Sequence, residues 1–164
     1  MQDRSRSGFT LVELVVTLVI IGALAAASAP LFFTTQDFQE SGFHNETLAT
    51  IRYAQKLAVG SGCAVRVAIA GNTVSLTTAA GAATCFTGAF NQPVIDPSNP
   101  GAAFSRAAPQ GITVTPSISP FLFCPLGDTS SSGTCGGNYT RANVTVTMTG
   151  QPQIAIDGAT GYTR

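Results

Sequence analysis

The sequence predicts an α+β protein: one long N-terminal helix, apolar in its first half, packed by its second half on a head of mostly antiparallel strands. Three observations predict it. An uncharged apolar run stands near the N-terminus, apolar residues then recur at three- and four-residue spacing as far as about Val59, and beyond Gly62 the period changes to two. Segments rich in turn formers separate the candidate strands.

From Leu14 to Phe33 the chain carries no charge, and sixteen of those twenty residues are apolar. A helix of about 20 such residues matches the hydrocarbon core of a bilayer. The short leader before it, Met1 to Gly8, has Arg4 and Arg6 as its cations, so the positive-inside bias places that end in the cytoplasm and the head across the membrane. A secretory signal peptide cut after Ala29 is the competing reading. It is opposed by Pro30 next to the cut, by the apolar run continuing through Phe33, and by Glu13 at the mouth of the run. A carboxylate carried to the bilayer centre costs about 2.5–3.5 kcal/mol. Gly22 and Pro30 both lower helix propensity inside the run, Pro by about 3 kcal/mol in a helix interior.

Helical spacing continues with Leu48, Ile51, Ala54, Leu57 and Ala58, while Glu46, Arg52 and Lys56 fall elsewhere on the surface. One helix from Phe9 to about Val59 is expected, with Gly42 and the polar stretch from Thr34 to Gln39 as weak points, and Gly60-Ser61-Gly62 as its stop. Next, Cys63, Val65, Val67 and Ile69 alternate with Ala64, Arg66 and Ala68, and Gly71-Asn72 turns the chain into Thr73 to Thr78. Further strands are expected at Ile112 to Thr115, Phe121 to Cys124, Val144 to Met148 and Gln153 to Ile156, the last two flanking Gly150-Gln151-Pro152. Asn91 to Gly101, with three Pro, and Gly127 to Asn138, with its Ser/Thr run, are expected as surface loops.

Composition narrows the function. Only 10% of the 164 residues are charged, and eight Lys+Arg balance eight Asp+Glu, so bulk electrostatic capture of nucleic acid is disfavoured. Cys63, Cys85, Cys124 and Cys135 contain no C-x-x-C pair and the single His44 lies far from them, so neither a metal site nor another cofactor is expected. An even cysteine count beyond a membrane favours disulfides. Of three possible connectivities, Cys63–Cys85 with Cys124–Cys135 closes the shortest loops around a strand pair and a Gly/Ser excursion. No catalytic arrangement is expected around His44, and Asp96, Asp128 and Asp157 are scattered through loops where they cap turns.

Gly8-Phe9-Thr10-Leu11-Val12-Glu13 ahead of an apolar run resembles the type IV prepilin processing motif. The resemblance implies cleavage after Gly8 by a membrane prepilin peptidase, N-methylation of Phe9, and an assembly role for Glu13, whose carboxylate would face the Phe9 ammonium of an adjoining subunit. It also implies that the helix near Gly22 and Pro30 extends when a subunit leaves the bilayer for the filament. The implied organisation is a leader at 1–8, a transmembrane and filament-core half-helix at 9–36, and a periplasmic or extracellular head at 37–164. The whole chain is similar to the GspH/FimT family of minor pilins and pseudopilins. Arg52 to Ala58, Gly62-Cys63 and Gly158 to Arg164 are similar to the minor pilins of mannose-sensitive haemagglutinin (MSHA) type pili. The partners so implied are other subunits of the same filament, the prepilin peptidase and an inner-membrane assembly platform. Some FimT-like proteins bind DNA through a C-terminal Gly-Arg-x-Arg element. Here Gly161-Tyr162-Thr163-Arg164 keeps only Arg164 of the two cations, which weakens that expectation.

Overall fold

The computed structural model describes residues 9–32, 35–81 and 85–164, with the side chains of 27–32 outside the description. The chain divides into two compact units, Met1–Phe38 and Gln39–Arg164. Helix α1, Leu11–Phe32, belongs to the first, and helix α2, Thr35–Ser61, gives the second unit its residues from Gln39 onward. The helix expected from Phe9 to about Val59 is described as Leu11–Phe32 and Thr35–Ser61, and residues 33 and 34 between them lie outside the described residues.

α2 is built on an amphipathic pattern. Phe43, Thr47, Thr50, Ile51, Ala54 and Ala58 form its buried stripe, and Asn45, Arg52 and Lys56 stay exposed. It ends where Gly62 adopts a left-handed conformation, φ 66°, that a residue with a Cβ takes at a cost.

Strands β1 (Val65–Ala70) and β2 (Thr73–Thr78) form a hairpin in full register from Val65↔Thr78 to Ala70↔Thr73. Gly71 and Asn72 both have positive φ, 55° and 60°, as a two-residue turn with the right twist requires. Strands β3 (Gln92–Pro93) and β4 (Ser105–Ala107) both pair with β2, at its two ends, and β6 (Phe121–Phe123) pairs with β1 and with β7 (Thr129–Ser130). These six strands make one sheet, β3-β2-β1-β6-β7 with β4 also on β2. A second sheet has the order β5-β8-β9, from Val114–Pro116, Val144–Met148 and Ile154–Ile156. All described pairings are antiparallel.

Both expected surface loops contain strands. Gln92-Pro93 and Thr129-Ser130 are too short to show alternation, and Thr129 and Ser130 are fully buried. Their hydroxyls are satisfied by the carbonyls of Ala142 and Thr134, which removes the desolvation cost of burying them. β4 lies where no strand is expected, and the remaining strands lie within two residues of the expected bounds, β1 beginning at Val65 rather than Cys63 and β5 at Val114 rather than Ile112.

The inner faces of both sheets and the buried stripe of α2 share one core. Ile51, Val65, Val67, Phe121, Phe123, Val144, Val146, Ile154 and Ile156 are all under 2% exposed within it. Cys63 is bonded to Cys85 and Cys124 to Cys135, and among the described residues no cysteine is free. The bridges meet through the backbone: the Ala64 N–H donates to the Cys85 carbonyl and the Cys135 N–H to the Phe86 carbonyl. Sequence separations of 22 and 11 residues correspond to about 3 kcal/mol of stabilisation each through restriction of the unfolded chain. Reduction is expected to lower the thermal midpoint of the purified protein by well over ten degrees, measured with and without reductant. An unchanged midpoint would show that the bridges are dispensable.

Candidate processing and assembly segment

The backbone chemistry of Thr10 fixes where α1 begins. Its Oγ1 accepts the Glu13 N–H at 3.3 Å and its carbonyl accepts the Leu14 N–H at 3.2 Å, so Thr10 is the N-cap and Glu13 stands three residues on. Thr-x-x-Glu is the capping-box spacing. Phe9 lies outside the helix, 80% exposed, and Gly8 lies outside the described residues. Helix α1 starts at Leu11.

Beyond Glu13, every large apolar side chain from Leu14 to Leu24 is between 48% and 65% exposed. These positions go round the whole helix, and a helix apolar on all sides is at home in lipid or in a protein core, not in water. Glu13 is the one charge among the described residues from Phe9 to Ala26. Among the described residues no helix is long and apolar enough to cross a membrane. Their apolar stretch from Leu11 to Ala26 is sixteen residues, about 24 Å at 1.5 Å per residue, against a hydrocarbon core of about 30 Å. The side chains of the rest of the expected span, that of Pro30 among them, fall outside the description. A Cβ at Gly22 would meet nothing within 4 Å, so space does not demand glycine there.

In the head, the structure assembles charge pairs that local sequence does not announce. Arg106 of β4 donates through Nη1 to Asp96 at 2.6 Å and pairs through Nε with Glu46 of α2 at 2.6 Å, while lying 4.5 Å over the Phe104 ring. Phe104 in turn stacks on Tyr53 of α2. Asp96, expected to cap a loop turn, does so through Ser98 and is also the buried acceptor of this network. Its hydrogen bonds from Arg106 and Ser98 hold its carboxyl far below the usual carboxylate range. A depressed folded-state pKa contributes stability that is complete above the unfolded value, about 4, and is lost as pH falls further. The difference in urea midpoint between the parent chain and Asp96→Asn is therefore expected to be flat from neutral pH to about 4 and to shrink below it. A difference growing on acidification would contradict the pairing.

Asp128 is likewise buried rather than loop-exposed. Its Oδ2 accepts the Tyr139 hydroxyl at 2.5 Å and the Arg141 Nε–H at 2.6 Å. Burial first, then the neighbouring carboxylate, pushes the Tyr139 phenol up. Asp157 keeps the turn-capping role, accepting from Ala159, Thr160 and the Thr160 hydroxyl. The exposed Arg164 pairs by backbone with Ala155 and shares with Asp157 and Tyr162 the lining of an open recess of about 560 Å³. A carboxylate in the same recess offsets its charge. His44 is half-buried in α2. Among the described residues no group of three His, Cys, Asp or Glu could hold a metal ion.

Residues 3–29 match the family described as the prokaryotic N-terminal methylation motif. A comparison with curated protein sequences returned no significant match. Among solved structures, the chain is similar to the minor pseudopilin EpsH from the type 2 secretion system of Vibrio cholerae, with a TM-score of 0.53 and 9% identity over 77% of this chain and 94% of that one. The type IV minor pilin FimU of Pseudomonas aeruginosa also aligns, with a TM-score of 0.47 and 14% identity over 79% and 90% of the two chains. The protein thus combines an N-terminal methylation motif with an α+β fold similar to that of a minor pseudopilin.

Proposed function

We propose that this chain is a structural, low-copy subunit of a type IV filament, with no enzymatic role. The carrying observation is α1: a helix apolar on all sides, introduced by the matched methylation motif and interrupted by one acid, Glu13. In this reading a prepilin peptidase cuts between Gly8 and Phe9 and methylates Phe9. Residues 9–36 anchor the subunit in the bacterial inner membrane with its N-terminus cytoplasmic, and residues 37–164 form a head on the periplasmic side. An inner-membrane assembly platform then moves α1 from lipid into the filament core, where Glu13 faces the Phe9 ammonium of a neighbouring subunit. Gly22 and Pro30 let the helix extend on that passage. Segments such as Arg52 to Ala58 and Gly158 to Arg164 resemble the minor pilin MshC, which favours an MSHA-like pilus and a place in priming or tip formation.

A second reading, a type II secretion pseudopilin, is favoured by the likeness of the fold to EpsH, a likeness that at 9% identity speaks for the fold. A third, a DNA-binding tip pilin, has Arg164 as its one matching cation, and the Asp157 carboxylate lining the same recess weighs against it. The processing step is tested by Gly8→Glu, which is expected to leave the chain at precursor size on an immunoblot of cells that process the parent. Mature-size protein from the variant would remove the basis of the reading.

A further inference from the structure

Arg66 occupies an unusual place for a cation. In β1, Val65, Val67 and Ile69 turn inward to the core, so Arg66 stands on the opposite face, beside Thr77 of β2 and Leu122 of β6 in the register. That face is not bare. Ala64, Phe90 and Leu122 form a second, small apolar cluster there, with Ala79 and Cys135 packed against it and both disulfides adjoining. Arg66, Phe90, Pro120, Leu122 and Gly133 line a recess of about 200 Å³. Arg66 is half-buried, yet among the described residues no hydrogen bond or ion pair engages its guanidinium.

None of Asp96, Glu46, Asp128 and Asp157 supplies its counter-charge. Asp96 and Glu46 serve Arg106, Asp128 serves Arg141, and Asp157 is bound within its own turn. A partly desolvated cation without a partner is unfavourable, whereas its planar fork of N–H donors matches a carboxylate in two-point geometry. The walls decide what carries that carboxylate. Small-molecule sites typically enclose about 300–1,000 Å³, more than this recess offers, and a small hydrated anion gains nothing from Phe90 and Leu122. A single side chain fits, and interfaces between proteins are commonly anchored by one residue seated in such a pocket.

We infer that this recess receives an acidic anchor residue of another protein subunit, its carboxylate on Arg66 and its methylene stem against Phe90 and Leu122. The disulfide-held floor is formed in advance, so little ordering accompanies docking. The inference is independent of which filament the chain serves.

The test uses the full chain in detergent micelles, with NMR shifts read as acetyl-Leu-Glu-Leu-amide is added and compared with the peptide carrying Gln in place of Glu. The Glu peptide is expected to move the Arg66 and Leu122 resonances saturably, at least tenfold more tightly than the Gln peptide, with the preference lost in Arg66→Gln. Equal binding of the two peptides, no shift from either, or inorganic phosphate competing as well as the Glu peptide would overturn the proposal. The unfolding midpoint of Arg66→Gln gives a separate readout. It is expected unchanged or raised, because a cation held for a partner does not support the fold, and a lowered midpoint would assign Arg66 a structural role instead.

Discussion

Glu13→Val is expected to leave the chain cut at Gly8 and retained in the membrane but absent from filaments, its incorporated fraction falling at least about tenfold. The structure makes this substitution unusually clean. Thr10 caps α1 by accepting the backbone N–H of residue 13, which valine also supplies, so the start of the helix survives the change. What disappears is the one charge among the described residues from Phe9 to Ala26. In lipid that loss is not unfavourable, since a carboxylate at the mouth of the run gains nothing there and costs less than the about 2.5–3.5 kcal/mol of the bilayer centre. In a filament core it is unfavourable if a neighbouring Phe9 ammonium is thereby left buried and unpaired, a situation that typically costs about 3–5 kcal/mol. A tenfold loss requires only about 1.4 kcal/mol of this. Immunoblots of sheared filaments against membranes measure it, and normal incorporation would reduce Glu13 to its place in the capping box.

Gly161→Ala is expected to destabilise the head by about 2–5 kcal/mol, the sum of a left-handed backbone penalty and an overpacking cost. Gly161 has φ 64°, and a Cβ built on it would run into the Gly127 carbonyl and the Gln55 side chain. Those groups cannot yield cheaply. Gln55 of α2 donates to the carbonyls of Gly127 at 3.0 Å and Thr160 at 2.9 Å, and Arg52 one turn earlier donates to the Thr163 carbonyl at 3.0 Å. The second helix thus reads the backbone of the β6–β7 turn and of the C-terminal segment together. Gly137 provides the control, with φ 68° but open space where its Cβ would go, so only the backbone penalty of about 1–2 kcal/mol applies there. Equal urea midpoints for Gly161→Ala and Gly137→Ala would show that the contact with α2 does not matter.

Much of the architecture was legible because it obeys local rules. The period-two run of β1, the Gly71-Asn72 turn and the Gly62 stop are each determined within a few residues, and each stands where the pattern puts it. The strands Gln92-Pro93, Ser105–Ala107 and Thr129-Ser130 were not legible, since two or three residues carry no period and are strands only because β2 and β6 offer them an edge. The same holds for charge. Asp96 and Arg106 are ten residues apart and Glu46 is on another element, so their network exists only once the chain is folded. Arg66 was hidden for the opposite reason: it sits where an alternating strand ordinarily places a solvated polar residue, and only the cluster of Phe90 and Leu122 around it makes the position unusual. At the N-terminus the motif was legible in six residues, while the capping role of Thr10 emerged from the geometry.

Maturation as the N-terminal motif implies would leave its mark on the first residue of the chain. Mass spectrometry of the N-terminal peptide of protein isolated from membranes that contain prepilin peptidase addresses that directly. A first residue of Phe9 carrying one methyl group on its amine is the expected result. A peptide still beginning at Met1, or one cut after Ala29 as a secretory signal would be, would contradict it.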